Sequence, residues 1–217
     1  VGYTNAGKST LLNALTESKV LAQDKLFATL DASVRALTPD SHPPIVMIDT
    51  VGFIDRLPPA LVASFKSTLE ELHQADLILH VVDASAEKSR EQMEITDGVL
   101  RELGLQDKPK LVVLNKSDLA AKAGRKNSAR IISPGSRLVS AHSKNDVREL
   151  REYILDHFRQ EMEVWELLVP YAESRIEALI HKHGAVEAKR HVEKGTFIKV
   201  RLEPSIAKKL NLERFRT

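Results

Sequence analysis

Short unbroken apolar runs alternate along this chain with longer segments of helical periodicity. The runs at 43–50 (PPIVMIDT), 76–85 (DLILHVVDAS) and 109–118 (PKLVVLNKSD) all end in polar residues. Continuous apolar runs of this length predict strands buried on both faces, as in a parallel sheet covered by helices. Segments 58–74 and 87–104 carry apolar positions at helical spacing, and so does 145–162 after a further predicted strand at 137–141. Residues 120–135 are weakly periodic and read as a loop with a helical turn. Strand–helix alternation of this kind predicts a doubly wound α/β fold with a mostly parallel sheet. Beyond about Glu161 the pattern changes. A strand at 164–171, a helix at 172–184 closed by Gly184, a hairpin turning at Lys194-Gly195 and a last helix at 205–215 predict a small α+β unit. The expected organisation is a larger domain at 1–160 and a small α+β domain at 161–217.

The opening stretch, VGYTNAGKST, contains G-x-x-x-x-G-K-S: Gly2, Tyr3, Thr4, Asn5, Ala6, Gly7, Lys8 and Ser9. This is the phosphate-binding loop pattern. Triphosphate oxygens need several donors converging on one point, and backbone N–H groups supply them when glycines let the chain wrap tightly. The helix that follows adds its dipole and its free N–H groups, with Thr10 in its first turn. Lys8 is expected to reach the β- and γ-phosphates and the Ser9 hydroxyl to ligate Mg²⁺. Leu11, Leu12 and Leu15 are spaced for one buried helix face. A loop of this kind connects a strand to a helix, yet only Val1 precedes Gly2. The sequence therefore predicts an N-terminal extension of at least a strand, with a domain beyond it.

Polar residues at the strand ends name the nucleotide. Asp49, Thr50, Val51 and Gly52 (DTVG) follow the first long run: the Asp is placed to hold Mg²⁺ through water, and the Gly52 N–H to sense a γ-phosphate. Asn115, Lys116, Ser117 and Asp118 (NKSD) follow the third. Guanine presents N1–H and an exocyclic amine on one edge, and the Asp118 carboxylate can accept both. Adenine has no such donor pair, and an unpaired buried acceptor discriminates strongly, by a factor on the order of 10⁴. Asn115 is expected to meet the other base edge and tie this loop to the phosphate loop, and Lys116 to lie along the ring face. Ser140, Ala141 and His142 (SAH) would bring the Ala141 N–H near guanine O6. His142 then sits by the base, away from the γ-phosphate. A switch segment belongs between the first helix and residue 45. There Phe27, Ala28, Thr29, Leu30 and Asp31 (FATLD) offer Thr29 as a further Mg²⁺ ligand, with Thr38 and Thr4 as lesser choices. The predicted ligands are thus GTP or GDP with Mg²⁺ on Ser9, Thr29 and, through water, Asp49. Lys8, Thr29 and the Gly52 backbone are the predicted catalytic groups.

Composition narrows the class. With 217 residues and no cysteine, disulfides are excluded and a reducing compartment is allowed. No apolar run approaches the roughly 20 residues of a membrane span. The net charge is only +2, but His181 to Thr217 carries 10 Lys and Arg against 4 Asp and Glu, leaving 22 basic and 26 acidic residues before it. A basic end on a mildly acidic body suits a polyanionic partner. HKH at 181–183 with His191 lacks the Cys or spaced carboxylate of a zinc site.

Together GYTNAGKST, FATLD, DTVGFI followed by LP, NKSD and SAH resemble the HflX family of translational, ribosome-associated GTPases. The likeness covers Val1 to about Gln160 well. It extends more loosely over Val169 to Pro204, which is similar to the family's small C-terminal domain. The resemblance implies a domain preceding the G domain, binding to the large ribosomal subunit and its rRNA and, in some members, dissociation of stalled or idle ribosomes. A monomer is expected, located in the cytoplasm and associated with ribosomes or, peripherally, with membranes.

One position departs from many Ras-like GTPases, which place Gln directly after D-x-x-G to orient the attacking water. Here Phe53 and Ile54 stand there, and neither side chain can hydrogen-bond a water. Slow intrinsic hydrolysis is expected, with a backbone group or the partner positioning the water; if the Phe53 side chain instead packs the switch against the partner, its removal reduces stimulation rather than basal turnover. Arg35 and Arg56 are cations near the switches, more suited to surface solvation. Three readings follow: a GTPase switch on a ribosomal particle, a nucleotide-sensing RNA- or ribosome-binding module with negligible turnover, and an assembly GTPase of the Era or Obg type. The tail lacks the GxxG loop of a KH domain. Asp118→Asn exchanges an acceptor for a donor opposite guanine N1–H. We expect GTP affinity to fall and xanthosine triphosphate binding to appear; a variant binding GTP as tightly as the parent would show that Asp118 does not read the base.

Overall fold

Burial on both faces decides where the central strands lie. The computed structural model describes residues 1–16, 33–37, 44–50, 52–53, 71–124, 133 and 135–217. Helix α1 (Lys8–Thr16) buries Leu11, Leu12 and Leu15, the face expected from their spacing. Strands β1 (Ser33–Ala36) and β2 (Val46–Asp49) form a two-stranded sheet, which the Leu37 N–H extends by donating to Ile45 O at 2.8 Å. β1 was not expected, and β2 is less buried than its apolar run predicted. Val46 and Ile48 are 55% and 40% exposed while Asp49 is buried, and β2 pairs with β1 in a sheet separate from the parallel one. Of the helix expected at 58–74, only Glu71–Gln74 falls within the described residues, as a turn of 3₁₀ helix.

The runs at 76–85 and 109–118 become β3 (Ile78–Asp83) and β4 (Lys110–Asn115), paired in parallel from Ile78↔Lys110 to Asp83↔Asn115. Helix α2 (Ser89–Glu102) connects them. Val81, Val82, Val113 and Leu114 are all buried although neighbours in a strand face opposite ways, so both faces of the sheet are covered. A short helix, α3 (Ser117–Lys122), follows β4, beginning before the 120–135 segment read as a loop with a helical turn; its Ala120 packs with Val82, Val112 and Leu114. The strand expected at 137–141 reduces to β5 (Arg137–Leu138), parallel to β4. Val139 still donates to Leu114 O at 2.9 Å, but the Ser140 N–H turns away to the Asp146 carboxylate at 2.8 Å, which ends the ladder. Helix α4 (Lys144–Gln160) then follows.

Val1 lies alongside β3, its amino group donating to Leu79 O and its carbonyl accepting from Val81 N, both at 2.8 Å. On its other side Tyr3 bridges Phe53 in parallel. The lead-in to the phosphate loop therefore sits inside the sheet, between β3 and Phe53.

The chain divides into two compact units, Val1–Arg35 with Met47–Leu150, and Ala36–Val46 with Arg151–Thr217. In the second, β6 (Glu163–Val169), β8 (Gly195–Leu202) and β7 (Ala185–Val192) form an antiparallel sheet in that spatial order. Helix α5 (Ser174–His183) precedes β7, and α6 (Pro204–Lys209) follows β8. Trp165, Leu167 and Val169 alternate inward from β6, as Ile198, Val200 and Leu202 do from β8, against Ile180, Ala207, Leu212 and Phe215. Gly184 ends α5 as expected, but for space rather than a left-handed cap. Its φ is −124°, and a Cβ there would lie 2.6 Å from both Leu202 and Val200 side chains. The last predicted helix is broken at Asn211, which is left-handed at φ 50° and leads into a 3₁₀ turn at Leu212–Phe215.

Phe53 corrects one expectation. Its side chain is fully buried and packs with Leu72, Ile78, Leu100 and Leu105, so it cannot reach a partner from there. Phe53→Ala should destabilise the fold by about 3–5 kcal/mol, the usual cost of emptying an aromatic core site. Urea unfolding measures this; an unchanged midpoint would take Phe53 out of the core.

Candidate nucleotide-binding site

Both glycines of the opening loop are needed, by conformation and by space. Gly2 and Gly7 have φ of +152° and +89°. A side chain on Gly2 would collide with the Val81 carbonyl, and one on Gly7 with the Asn115 amide. Asn5 is left-handed at φ 59°, a conformation Asn tolerates better than most residues. The loop runs directly into α1, where Leu11 N–H donates to Gly7 O at 2.9 Å. The free N–H groups and the dipole of α1 favour an anion at this end.

Lys8 lies in the loop with Nζ 3.3 Å from Tyr3 O. Burial lowers its pKa to about 8, opposed by the nearby Asp49 carboxylate. The Ser9 hydroxyl donates to Asp49 Oδ2 at 2.6 Å, so the first turn of α1 and the end of β2 meet as the sequence predicts. Thr50 is buried, and its hydroxyl has no partner among the described residues. Gly52 crosses close to the loop: a Cβ there would sit 2.8 Å from Thr4 Cα and 2.9 Å from Lys8 Nζ. Thr4 N–H donates to Phe53 O at 2.8 Å and Phe53 N–H to Gly2 O at 3.1 Å. The loop and Phe53, the residue after D-T-V-G, are thus laced together by backbone.

Asn115 is almost fully buried, donates from Nδ2 to Ala6 O at 3.0 Å and accepts from Ala141 N–H at 3.2 Å. The expected tie to the phosphate loop is present, and the Ala141 N–H is engaged with Asn115. Lys116 is left-handed at φ 59° and starts α3. The exposed Asp118 accepts a hydrogen bond from the Ser140 hydroxyl, which holds its carboxyl below the usual range. Ser140 Oγ in turn accepts from the N–H of His142, which is exposed, at 3.3 Å. Ser117 donates from its N–H to Val139 O at 3.1 Å, joining the two base-side loops. Phe27, Ala28, Thr29, Leu30, Asp31 and Val51, with Thr38, Ile54 and Arg56, lie outside the described residues. Arg35 is half-buried on β1.

Two groups escaped the sequence reading. Asp83, at the end of β3, pairs with Lys116 at 2.8 Å. Asp146 accepts from Ser140 N and from Ser143 Oγ at 2.7 Å, a capping arrangement that holds the S-A-H loop on α4. The signals were there: D-A-S after an apolar run is an Asx-turn pattern, and S-x-x-D at 143–146 is a capping box.

The model of the family described as "50S ribosome-binding GTPase" matches residues 1–116, from the phosphate loop into NKSD. The chain belongs to this family. Among its curated relatives, GTPase HflX of Gluconacetobacter diazotrophicus is 47% identical over 210 residues, covering 97% of this chain and 46% of that protein. The resemblance to HflX is therefore met along nearly the whole chain, and the chain spans about half the length of the curated relatives it matches. Two solved structures share the fold. A GTP-binding protein from the hyperthermophilic archaeon Sulfolobus solfataricus in complex with GDP is 30% identical, with a TM-score of 0.53 over 72% of this chain and 50% of that one. Era in complex with MgGDPNP and nucleotides 1506–1542 of 16S ribosomal RNA is 27% identical, with a TM-score of 0.55 over 71% of this chain and 54% of that one. The fold is that of the P-loop GTPases.

The Lys8 ammonium gives this family's site a pH dependence. Its folded pKa is depressed to about 8, so the charged form is held fully below that value and lost above it. Triphosphate binding favours the charged form, so affinity should be flat near pH 7 and weaken toward pH 9, by up to about tenfold per unit. Lys8→Ala should bind weakly and lose this slope. An equal slope in the variant, by calorimetric titration with a non-hydrolysable analogue, would assign it to another group.

Proposed function

We propose that this chain binds and hydrolyses GTP as the G domain and C-terminal domain of a switch protein of the large ribosomal subunit. The observation that carries this reading is the Ser9–Asp49 contact and the approach of Gly52 to Lys8 at the phosphate loop, with Asn115 tying the guanine-side loops to Ala6. The proposed boundary runs at residue 160, with 1–160 holding nucleotide and 161–217 docking. The protein acts as a monomer in the cytoplasm.

The residues divide the work. Backbone N–H groups from Gly2 to Thr10 cradle the phosphates, and Lys8 neutralises the β- and γ-oxygens. Ser9 and Asp49 present a hydroxyl and a carboxylate, hard oxygen donors that suit Mg²⁺. Ser9 and Thr29, with Asp49 acting through water, would hold that ion, which would neutralise phosphate charge. Asp118 reads N1–H and the exocyclic amine of guanine, Lys116 covers the ring, and the Ala141 N–H turns from Asn115 toward O6. Gly52 N–H senses the γ-phosphate. With the Phe53 side chain committed to the core, no side chain at that position orients water, and basal turnover is slow.

Docking falls to the basic C-terminal unit, whose cations are not equally available. Lys189 is paired with Glu177 at 2.6 Å, and Lys199 and Arg201 share Glu187. Arg190 and Lys194 carry no ion pair among the described residues, and the Arg190 guanidinium lies 4.5 Å above the Phe197 ring. Phosphate contacts make docking salt-dependent. We expect large ribosomal subunits to raise turnover of the full-length protein steeply, less so at higher salt. Arg190→Glu with Lys194→Glu should weaken docking while leaving GTP affinity unchanged. Steady-state turnover against subunit concentration at two salt levels is the measurement; a flat response at both would favour the nucleotide-sensing module with negligible turnover.

A further inference from the structure

We infer that Asp83 is a positioning residue for base binding, holding Lys116 in place as a preformed wall of the base slot. This rests on the reading of Lys116 as the residue that covers the guanine ring. Asp83 closes β3 directly opposite Asn115 in the parallel register, one strand away from the NKSD loop. Its carboxylate is fixed before it meets the lysine. Oδ1 accepts from Ser85 N–H at 2.8 Å and from Ser85 Oγ at 2.6 Å, which turns the chain back on itself after the strand. Ala84 N–H donates to Asn115 O at 2.8 Å and locks that turn to β4. The second oxygen, Oδ2, is left to take Lys116 Nζ at 2.8 Å. Both side chains are mostly buried, 29% exposed for Lys116 and 16% for Asp83, so solvent screens the pair less than it would a surface pair.

Lys116 is thereby held at three places. Its backbone is left-handed, its ammonium is on Asp83, and its stem runs past the phosphate loop, with Cε 3.8 Å from where a Gly7 Cβ would be. A lysine stem has four rotatable bonds, and binding a flat base against it would ordinarily cost the freedom of all of them. The Asp83 pair removes that cost before nucleotide arrives, which is the general route by which preorganisation raises affinity. Asp83 acts on this wall rather than on a base edge, so it sets how tightly any purine nucleotide is held and leaves the choice of base to Asp118.

The test is a double-mutant cycle on the full-length protein, read by calorimetric titration with GDP and with inosine diphosphate, which lacks the exocyclic amine. Asp83→Asn keeps an oxygen for Ser85 and removes the charge. Lys116→Met keeps an apolar stem and removes the anchor. We expect either change to weaken GDP binding about three- to tenfold, the effect of freeing one rotamer-rich side chain. The double variant should lose no more than either single one, and the ratio of GDP to inosine diphosphate affinity should stay at the parent value. Should Asp83→Asn fail to fold, Lys116→Met alone carries the test, and unchanged GDP binding in it overturns the inference. Additive losses in the cycle, or an altered base ratio, overturn it too. A parent protein that binds neither nucleotide would defeat the reading of the site itself, a result distinct from a parent that binds and a cycle that shows no coupling.

Discussion

The amide of Asn115 is the point to which the loops of the site are referenced. It stands at the end of β4, after Val113 and Leu114, both without exposed surface. One amide hydrogen goes to Ala6 in the phosphate loop, its oxygen takes Ala141 N–H from the loop after β5, and its backbone carbonyl takes Ala84 N–H from the loop after β3. Three loops from three strands are thus fixed by one residue on the central strand. In a buried setting each of these groups costs about 1–3 kcal/mol if left unpaired, so the loops cannot drift independently. An aspartate there would lose the donor to Ala6, and a leucine would leave both neighbours unpaired.

Around this anchor the chain accepts unfavourable backbone conformations. Asn5 and Lys116 are left-handed without being glycine, and each such residue costs on the order of 1–3 kcal/mol that surrounding contacts must offset. The offsets are visible. The Asn5 turn is closed by Ala6 N–H to Tyr3 O and by the start of α1, and Lys116 is held through Asp83 and through Ala120 N–H to its own carbonyl. Lys8 adds an electrostatic counterpart. Its ammonium is buried with Asp49 as the nearby countercharge, and the depressed pKa expresses how incompletely that one carboxylate replaces water. On the proposed reading, the phosphates supply the rest.

The sequence made legible what burial or fixed chemistry dictates. β3 and β4 were readable because strands covered on both faces carry near-continuous apolar runs, with His80 the polar position inside β3. The hairpin between β7 and β8 was readable because alternation stops at Glu193-Lys194 and resumes after Gly195, which is at φ 159°. The loop residues Gly2, Gly7, Lys8 and Ser9 were readable because few other residues fit there. Less legible were features decided by partners distant in sequence. β1 exists through its pairing with β2, α3 through Ala120 reaching the apolar face of β3 and β4, and the lysine partner of Asp83 lies just past the end of the neighbouring strand. Phe53 was misread for the same reason. Its position after D-x-x-G suggests a role in the switch, while its surroundings, Leu72, Ile78, Leu100 and Leu105, are decided by the tertiary fold.

That burial has a consequence for how a switch could operate here. Phe53 is held by its side chain in the core and by its backbone to Gly2 and Thr4, so the segment after Asp49 is clamped at its far end. Gly52, immediately before the clamp, passes within a methyl group's reach of Thr4 and Lys8. A γ-phosphate arriving between Lys8 and Gly52 would therefore meet a segment held at Phe53. Asp49 is the residue that takes the Ser9 hydroxyl. The core behind Phe53 then acts as a fixed support for Gly52.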